Sequence, residues 1–156
     1  MTAKEMLRLP EKLKAEIAAD TDELAVLRSV LESSSGRLER SGIRKHDEGR
    51  GKFEDVLMAI TEAEERIDAK VARCATLEKK LLALIRQLGD ARYRKILIMR
   101  YFGGYSLFEA AEKLGRSKSV IFQIHREALK ALDRIIREEE NGKEAAGHET
   151  DPGLSA

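Results

Sequence analysis

The sequence has little of several residue types on which particular fold classes depend. Its 156 residues include no tryptophan, two prolines, one cysteine and only 4% aromatic residues. A single cysteine excludes an intramolecular disulfide, and the scarcity of aromatic and β-branched runs argues against a sheet. There is neither an apolar run of about 18 residues, as a membrane span needs, nor a signal-peptide pattern. We therefore expect an all-α, cytoplasmic protein that does not enter a membrane.

Residues that could carry chemistry are also sparse. His46, His125 and His148 lie in three different segments without metal-ligand spacing, and no Ser, His and Asp pattern stands in a nucleophile context. Cys74 lies on an apolar helical stripe, where a small core residue is expected rather than a reactive thiol. We predict a protein that is not an enzyme and that holds neither a cofactor nor a metal.

Charged residues, in contrast, make up 37% of the chain and are unevenly distributed. Residues 91–137 hold 11 Lys or Arg against 4 Asp or Glu, whereas residues 138–156 hold 1 against 6. A basic module followed by an acidic tail is the resulting pattern, and a basic module is typical of nucleic-acid contact. We expect the tail to be disordered beyond a helix end near Asn141-Gly142.

The N-terminal region begins with a helical pattern. Its apolar positions recur at a and d spacing, with Asp20 as a polar interruption: Leu13, Ile17, Leu24, Leu27 and Leu31. Thr2 and Glu5 can cap an opening turn, but Pro10 predicts either a kink or a later start. We expect this helix to end near Ser33.

A loop is predicted next, over residues 33–52. The segment from Gly36 to Lys52 contains four glycines and little apolar material, so it cannot pack well. It is also rich in Arg and Lys. A solvated connector and an extra phosphate-contacting arm are both compatible with this composition.

A second, longer helix is predicted over Phe53–Leu88, with a seam that repeats every seven residues. Lys70 alone interrupts the series. At 1.5 Å per residue the helix is roughly 54 Å long, and a seam of that length must be covered. It can pack against the first helix as a hairpin, against a second copy in a homodimer, or both. The seam positions singled out are Phe53, Ile60, Ile67, Cys74, Leu77, Leu81 and Leu84, with Val56, Ala63 and Leu88 continuing the pattern.

Short breaks divide the C-terminal segment into three helices. Asp90 is the predicted N-cap of the first, and Gly103-Gly104 ends it. Ser106 with Glu109 forms a capping box that starts a short second helix, which Gly115 ends. A third helix follows Ser117, with apolar positions at helical spacing: Val120, Ile121, Ile124, Ala128, Leu132 and Ile135. A short helix, a glycine-containing turn and a longer helix form the helix-turn-helix pattern.

In that motif the second helix enters the DNA major groove and presents residues near its N-terminus to the bases. Gln pairs with adenine, Arg and Lys with guanine or phosphate, and an exposed Phe packs on a thymine methyl group. Two polar residues on a helix face are more often simply solvated, but nothing structural asks for an aromatic residue at position 122. The predicted DNA-binding residues are Arg116, Ser117, Lys118, Ser119, Phe122, Gln123 and Arg126.

These residues also carry a resemblance to a known family, region 4 of bacterial sigma factors. The similar segments are RYF at Arg100–Phe102, SLFEAA at Ser106–Ala111, LGRS at Leu114–Ser117 and VIFQIHREAL at Val120–Leu129. The full layout looks like the small phage and prophage regulators of the RinA and ArpU type. The resemblance implies binding to a promoter −35 element and to the β flap of RNA polymerase. Ala110, Ser119 and Phe122 depart from the usual pattern, so the preferred DNA sequence cannot be transferred.

We therefore expect a long N-terminal helical hairpin or coiled coil (1–88), a sigma region 4-like helix-turn-helix domain (89–137) and an acidic tail (138–156). The predicted function is a phage-type transcription regulator that binds double-stranded DNA and acts on late genes with host RNA polymerase. Residues 1–90 lack the basic and aromatic cluster of sigma region 2, so the protein should not replace a housekeeping sigma factor. The alternatives are a small terminase subunit that packages phage DNA and a coiled-coil adaptor that binds polymerase without DNA.

Overall fold

A computed structural model describes residues 1–40 and 46–149 of the chain. The described residues form five helices and no strand, which confirms the all-α prediction with long helices preceding a helix-turn-helix. In chain order they are α1 (Ala3–Arg40), α2 (His46–Arg86), α3 (Ala91–Tyr101), α4 (Leu107–Leu114) and α5 (Lys118–Glu149). None of the described helices is long and apolar enough to cross a membrane.

The first helix begins at Ala3, and the predicted cap between Thr2 and Glu5 is present in both directions. The Thr2 backbone N–H donates to Glu5 Oε2 at 2.8 Å, and the Glu5 N–H donates to Thr2 Oγ1 at 3.2 Å. Pro10 lies inside α1 and is buried. The alternative in which the helix starts at Pro10 is therefore wrong, because the reciprocal cap stabilises a start seven residues earlier.

The predicted loop over residues 33–52 is largely wrong. Helix α1 continues to Arg40 and α2 already begins at His46, and residues 41–45 lie outside the described residues. The serines and glycines of this segment are poor helix formers, but each costs about 1 kcal/mol or less. Extending an existing helix avoids the cost of nucleation, so a long helix can run through such residues.

The chain divides into two compact units, which we name the hairpin unit (Pro10–Leu77) and the helix-turn-helix unit (Met1–Leu9 together with residues from Glu78 onward). Within the hairpin unit, α1 and α2 run antiparallel. Three ion pairs show this direction, because the later a residue lies in α1, the earlier its partner lies in α2. The pairs are Arg28 with Glu64 at 2.9 Å, Glu23 with Arg66 at 3.5 Å and Asp20 with Lys70 at 2.7 Å. The prediction that the first helix folds back along the second is confirmed.

Asp20 and Lys70, the two polar interruptions of the predicted apolar stripes, are partners of each other. Lys70 Nζ lies 2.7 Å from Asp20 Oδ2 and 3.4 Å from Glu16 Oε2. The hydrogen bond to Asp20 is the main cause that raises the pKa of Lys70, with burial opposing it and Glu16 adding to it. Each of these two polar side chains therefore has a charged partner across the hairpin instead of being buried without one.

The core of the hairpin unit is small. Leu24, Ile60 and Ala63 are buried against one another, with a rim of half-buried residues formed by Leu27, Leu31, Val56 and Ile67. Of the predicted seam, Ile60 and Cys74 are buried here, and the Cys74 thiol lies 4.0 Å from the Pro10 carbonyl oxygen. Phe53, Ile67 and Leu77 are half-buried. The placement of Cys74 in the core agrees with the prediction.

The last seam positions belong to the helix-turn-helix unit, where Leu81 and Leu84 are buried. Gln87, just after α2, donates from Nε2 to Glu139 Oε1 of α5 at 3.2 Å. The side chain of Arg94 donates to the Leu88 carbonyl oxygen in the break between α2 and α3. The predicted break at residues 88–90 is therefore present and locally hydrogen-bonded.

Helix α5 extends further than predicted. It passes through Asn141-Gly142 and ends at Glu149, so the expected stop is wrong, and the predicted disorder fails for residues 143–149. Residues 150–156 of the expected tail lie outside the described residues. The sequence after Gly142 is Lys-Glu-Ala-Ala, and these strong helix formers offset the glycine.

Candidate nucleic-acid interface

Asp90 fixes the start of α3 and with it the first helix of the three-helix segment. Its Oδ1 accepts the Arg92 backbone N–H at 2.9 Å, and its Oδ2 lies 2.8 Å from Arg92 Nη2. The bond to the Arg92 side chain, followed by the bond to the Arg92 backbone, lowers the pKa of Asp90. Asp90 is the predicted N-cap, and its carboxylate complements the positive end of the helix dipole.

The turn between α3 and α4 depends on both of its glycines, for different reasons. Gly104 has a φ of 72°, in the left-handed region. A Cβ atom on Gly103 would lie 2.9 Å from the Met99 carbonyl oxygen and from Tyr105 Cδ2. Tyr105 is held in turn by Lys113 of α4, whose Nζ donates to its hydroxyl at 2.7 Å. The predicted end of α3 is confirmed, and the turn that follows it fixes the direction of α4 relative to α3.

Helix α4 starts and stops at the predicted residues. Ser106 Oγ accepts the Glu109 backbone N–H at 3.1 Å, which is the predicted N-terminal cap. Gly115 has a φ of 63° and ends the helix in the left-handed conformation. Ser117 Oγ then accepts the Val120 N–H at 3.4 Å at the start of α5. Only two residues therefore lie between Gly115 and the first residue of α5.

One apolar cluster holds these three helices together. Ala110 and Ala111 of α4 are buried against Ile96 of α3 and against Ile121 and Ile124 of α5. The small Ala110 side chain is fully buried, with Tyr93, Met99, Leu107 and Leu114 packed around the cluster. Val120 was predicted on the buried stripe, but 38% of it is exposed. That prediction is wrong, because Ile121 takes the buried position and its neighbour points about 100° away.

Phe122 and Lys118 lie at the exposed N-terminal part of α5, where both were predicted to contact DNA. Phe122 is 38% exposed and packs edge-to-face against Phe108 of α4, with ring centroids 5.5 Å apart. Lys118 Nζ lies 4.7 Å from the centre of the Phe108 ring. Phe122 therefore has a structural partner after all, and the two rings with the ammonium group form one exposed aromatic and cationic patch.

Gln123 is held in place by a chain of hydrogen bonds. Its Nε2 donates to Glu127 Oε1 at 3.3 Å, and the other oxygen of Glu127 accepts the Tyr93 hydroxyl of α3 at 3.1 Å. Burial, and then the hydrogen bond to Glu127, raise the pKa of Tyr93, so its hydroxyl remains protonated and donates. A glutamine with one N–H engaged keeps its carbonyl oxygen and second N–H for a partner.

The remaining predicted residues surround this part of α5. Ser119 is exposed, and its Oγ lies 3.4 Å from Ser117 Oγ. Arg126 is exposed one turn after Gln123. Arg116 lies in the turn, where it lines a shallow groove with Arg92 and Lys95 of α3. All seven predicted residues therefore fall on or next to the first two turns of α5.

Residues 90–134 match the family model of sigma-70, region 4. The match covers the segment from the N-cap of α3 to the middle of α5, and this segment is a sigma-70 region 4-like helix-turn-helix. Region 4 is a DNA-binding domain of transcription proteins, and in that family it also associates with RNA polymerase. Neither the curated proteins nor the solved structures compared with the chain gave a significant match.

Three residues of this region 4-like segment belong to the exposed surface although sequence reasoning passed over them. Phe108 is 52% exposed beside Phe122, and Lys95 and Arg92 share the groove of Arg116. The signal for Phe108 is its position directly after Leu107, because only one of two successive apolar residues on a short helix can face the core. No comparable signal exists for Lys95, since its neighbour Arg116 is distant in sequence.

Proposed function

We propose that the protein is a sequence-specific transcription regulator that binds double-stranded DNA through the N-terminal part of α5. The observation that carries this proposal is the region 4-like helix-turn-helix together with the ordered Gln123 at its exposed face. In such motifs the second helix lies in the major groove with its N-terminal residues against the base edges. A preorganised side chain loses less conformational freedom on binding, which favours a specific contact.

The predicted residues divide into base contacts and phosphate contacts. Gln123 offers an amide that can pair with adenine, and the exposed ring of Phe122 offers an apolar surface for a thymine methyl group. Lys118, Arg126 and Arg116 supply charges for guanine or phosphate, and the hydroxyl groups of Ser117 and Ser119 reach phosphate oxygens. Phe108 extends the apolar surface beside Phe122.

The more specific parts of the proposal concern origin and partners. We propose that the protein is a phage or prophage regulator that acts on late genes together with host RNA polymerase, whose β flap its region 4-like segment would bind. Residues 1–88 would hold protomers together as a homodimer, residues 89–137 would bind DNA, and residues 138–156 would form an acidic extension. The resemblance of the chain layout to the RinA and ArpU type supports this division.

Footprinting on DNA from the source prophage, followed by binding of variants to the protected site, tests this proposal. Gln123→Ala should relax the sequence preference at one base pair, with a loss of about 1 to 3 kcal/mol of discrimination and little change in salt dependence. Arg126→Ala should weaken binding to all sequences alike and reduce the salt slope by about one. The first change removes a base contact and the second a phosphate contact.

Two further variants make the test specific. Glu127→Gln should reduce discrimination less than Gln123→Ala does, because it disturbs only the support of Gln123. Ile124→Ala removes part of the buried cluster and should destabilise the fold by roughly 2 to 5 kcal/mol, so it controls for unfolding. The proposal fails if a folded double variant with Gln123→Ala and Arg126→Ala binds the same DNA with unchanged affinity and specificity.

A further inference from the structure

The first nine residues of the chain lie far outside the matched region 4 segment, yet they belong to the same compact unit. Ala3 is fully buried and Leu7 is 1% exposed. The Ala3 backbone N–H donates to Asp133 Oδ1 of α5 at 2.7 Å. Asp133 therefore satisfies an N–H group at the start of α1, where a helix has no internal acceptor. This bond and the buried pair fix the first turns of α1 in the unit.

Lys4 and Arg8 immediately follow the two buried residues in sequence, and both are exposed. They are four residues apart on α1, so they lie on the same side of the helix, one turn from each other. Because Ala3 and Leu7 anchor this stretch, the two cations have a defined place on the surface instead of belonging to a loose terminus.

That place is along α5, because Asp133, which accepts the Ala3 N–H, lies about two turns after Arg126 on the same side of the helix. The charges of Arg100, Lys4 and Arg8, after the larger effect of burial, all lower the pKa of His125. His125 is held by α3, since its Nε2 lies 3.0 Å from the hydroxyl of Tyr101. The bond to Asp133 therefore puts the two cations of α1 next to the side of α5 that carries Arg126, one of the predicted contacts.

Two carboxylates beside the first turn of α1 already accept hydrogen bonds. Asp133 accepts the Ala3 N–H, and Glu5 accepts the Thr2 N–H. Their negative charge therefore serves the positive end of α1. Arg100, whose charge acts on His125 together with those of Lys4 and Arg8, also lines the edge of the surface depression formed by Phe108 and Phe122.

We propose that Lys4 and Arg8 form a second contact with DNA, in which their side chains neutralise two backbone phosphates beside the base pairs read by α5. This inference rests on the proposed function and assigns part of the binding surface to a segment outside the region 4-like helix-turn-helix. The contact is independent of sequence, because phosphates carry no base information. It couples the start of α1 to the DNA.

Binding to a short mixed-sequence duplex, measured as a function of salt concentration, tests this contact. Each phosphate neutralised contributes about 0.9 to the slope of log K against log salt. A double variant with Lys4→Gln and Arg8→Gln should therefore lower the slope by about 1.8 and weaken binding to every sequence by the same factor. Its melting temperature should match that of the parent, since both side chains are exposed.

Two control proteins accompany the test. Arg66→Gln with Arg73→Gln removes the same charge from exposed positions of α2 in the hairpin unit and should leave the slope unchanged. Lys4→Arg with Arg8→Lys keeps both charges and should also give the parental slope. A parental slope in the Lys4→Gln, Arg8→Gln variant overturns this inference and leaves the proposed function intact. A parent that does not bind duplex DNA overturns both.

Discussion

At the scale of single residues, His125 is unusual because it is a half-buried titratable side chain that links α5 to α3. It is half-buried, its Nε2 lies 3.0 Å from Tyr101 Oη, and its ring stacks on that of Tyr101 with centroids 5.8 Å apart. Burial is the main cause that lowers its pKa from the ordinary 6.5, and the charges of Arg100, Lys4 and Arg8 act in the same direction. The folded protein therefore favours the neutral ring.

The stability of the helix-turn-helix unit should consequently depend on pH. The unfolded chain binds a proton at His125 more readily than the folded chain, so the free energy of unfolding falls as the pH drops through 6.5 and towards the lower folded pKa. The contribution is fully present above 6.5. His125→Gln keeps a hydrogen-bonding group for Tyr101 but cannot titrate, so it should flatten this part of the profile. Melting temperatures of parent and variant across this pH range check the prediction, and parallel profiles would contradict it.

At the scale of helices, two glycines with different backbone geometry give opposite predictions. Gly115 ends α4 with a φ of 63°, whereas Gly142 lies inside α5, and neither would bring an added Cβ within 4 Å of another atom. Gly115→Ala should destabilise the fold by about 1 kcal/mol, because L-residues are strained in the left-handed region. Gly142→Ala should increase helix content and contribute up to about 1 kcal/mol to α5.

Circular dichroism during thermal unfolding distinguishes these effects. Because both substitutions are glycine to alanine, each serves as the control for the other, and the sign of the change is the result that matters. A stabilising Gly115→Ala would mean that α4 does not end in the left-handed conformation. A loss of helix in Gly142→Ala would mean that α5 stops near Asn141, as the sequence alone suggested.

The helix boundaries also show which parts of the fold could be predicted from the sequence. Ends fixed by local chemistry were predictable, because Asp90, Ser106 and Gly115 each act on backbone groups within a few residues. Ends at Ser33 and at Asn141-Gly142 were predicted wrongly, since weak helix formers there do not outweigh the continuation of long helices.

Contacts between distant segments were harder to predict than local caps. The sequence marks Asp20 and Lys70 as polar interruptions, but the heptad repeat does not say which residue of the facing helix each one meets. The same limit applies to the interface, where the exposed α5 residues could be named but Phe108 of α4, Lys95 of α3 and Lys4 of α1 could not. Their proximity to α5 is a consequence of tertiary packing.

At the scale of the whole molecule, the two units have separate buried clusters, although α1 and α2 each supply residues to both units. The cluster around Leu24, Ile60 and Ala63 stabilises the hairpin unit, and the cluster around Ile96 and Ile121 stabilises the helix-turn-helix unit. A substitution in one cluster should therefore act mainly on its own unit. This separation allows the proposed pairing of protomers to be tested without removing the proposed DNA-binding surface.

Ile67→Asp is the substitution suited to that test. Ile67 is half-buried against the hairpin cluster, so a carboxylate there loses apolar packing and is partly desolvated, with an expected cost of about 3 kcal/mol. Val71, one turn further along α2, is 49% exposed, and Val71→Asp should change stability by no more than about 0.5 kcal/mol. The matched pair introduces the same charge on the same helix, so burial is the main difference.

Thermal melting and sedimentation of both variants complete the test. Ile67→Asp should lower the melting temperature and, if the hairpin pairs protomers, also reduce the mass in solution, whereas its affinity for a mixed-sequence duplex per protomer should change little. A parental mass consistent with a dimer favours the regulator, and a large ring favours the small terminase subunit, because packaging of phage DNA requires a ring. An Ile67→Asp protein that melts and sediments like the parent would show that this face of α2 is not buried in solution, and the hairpin would then have to be held together by its ion pairs alone.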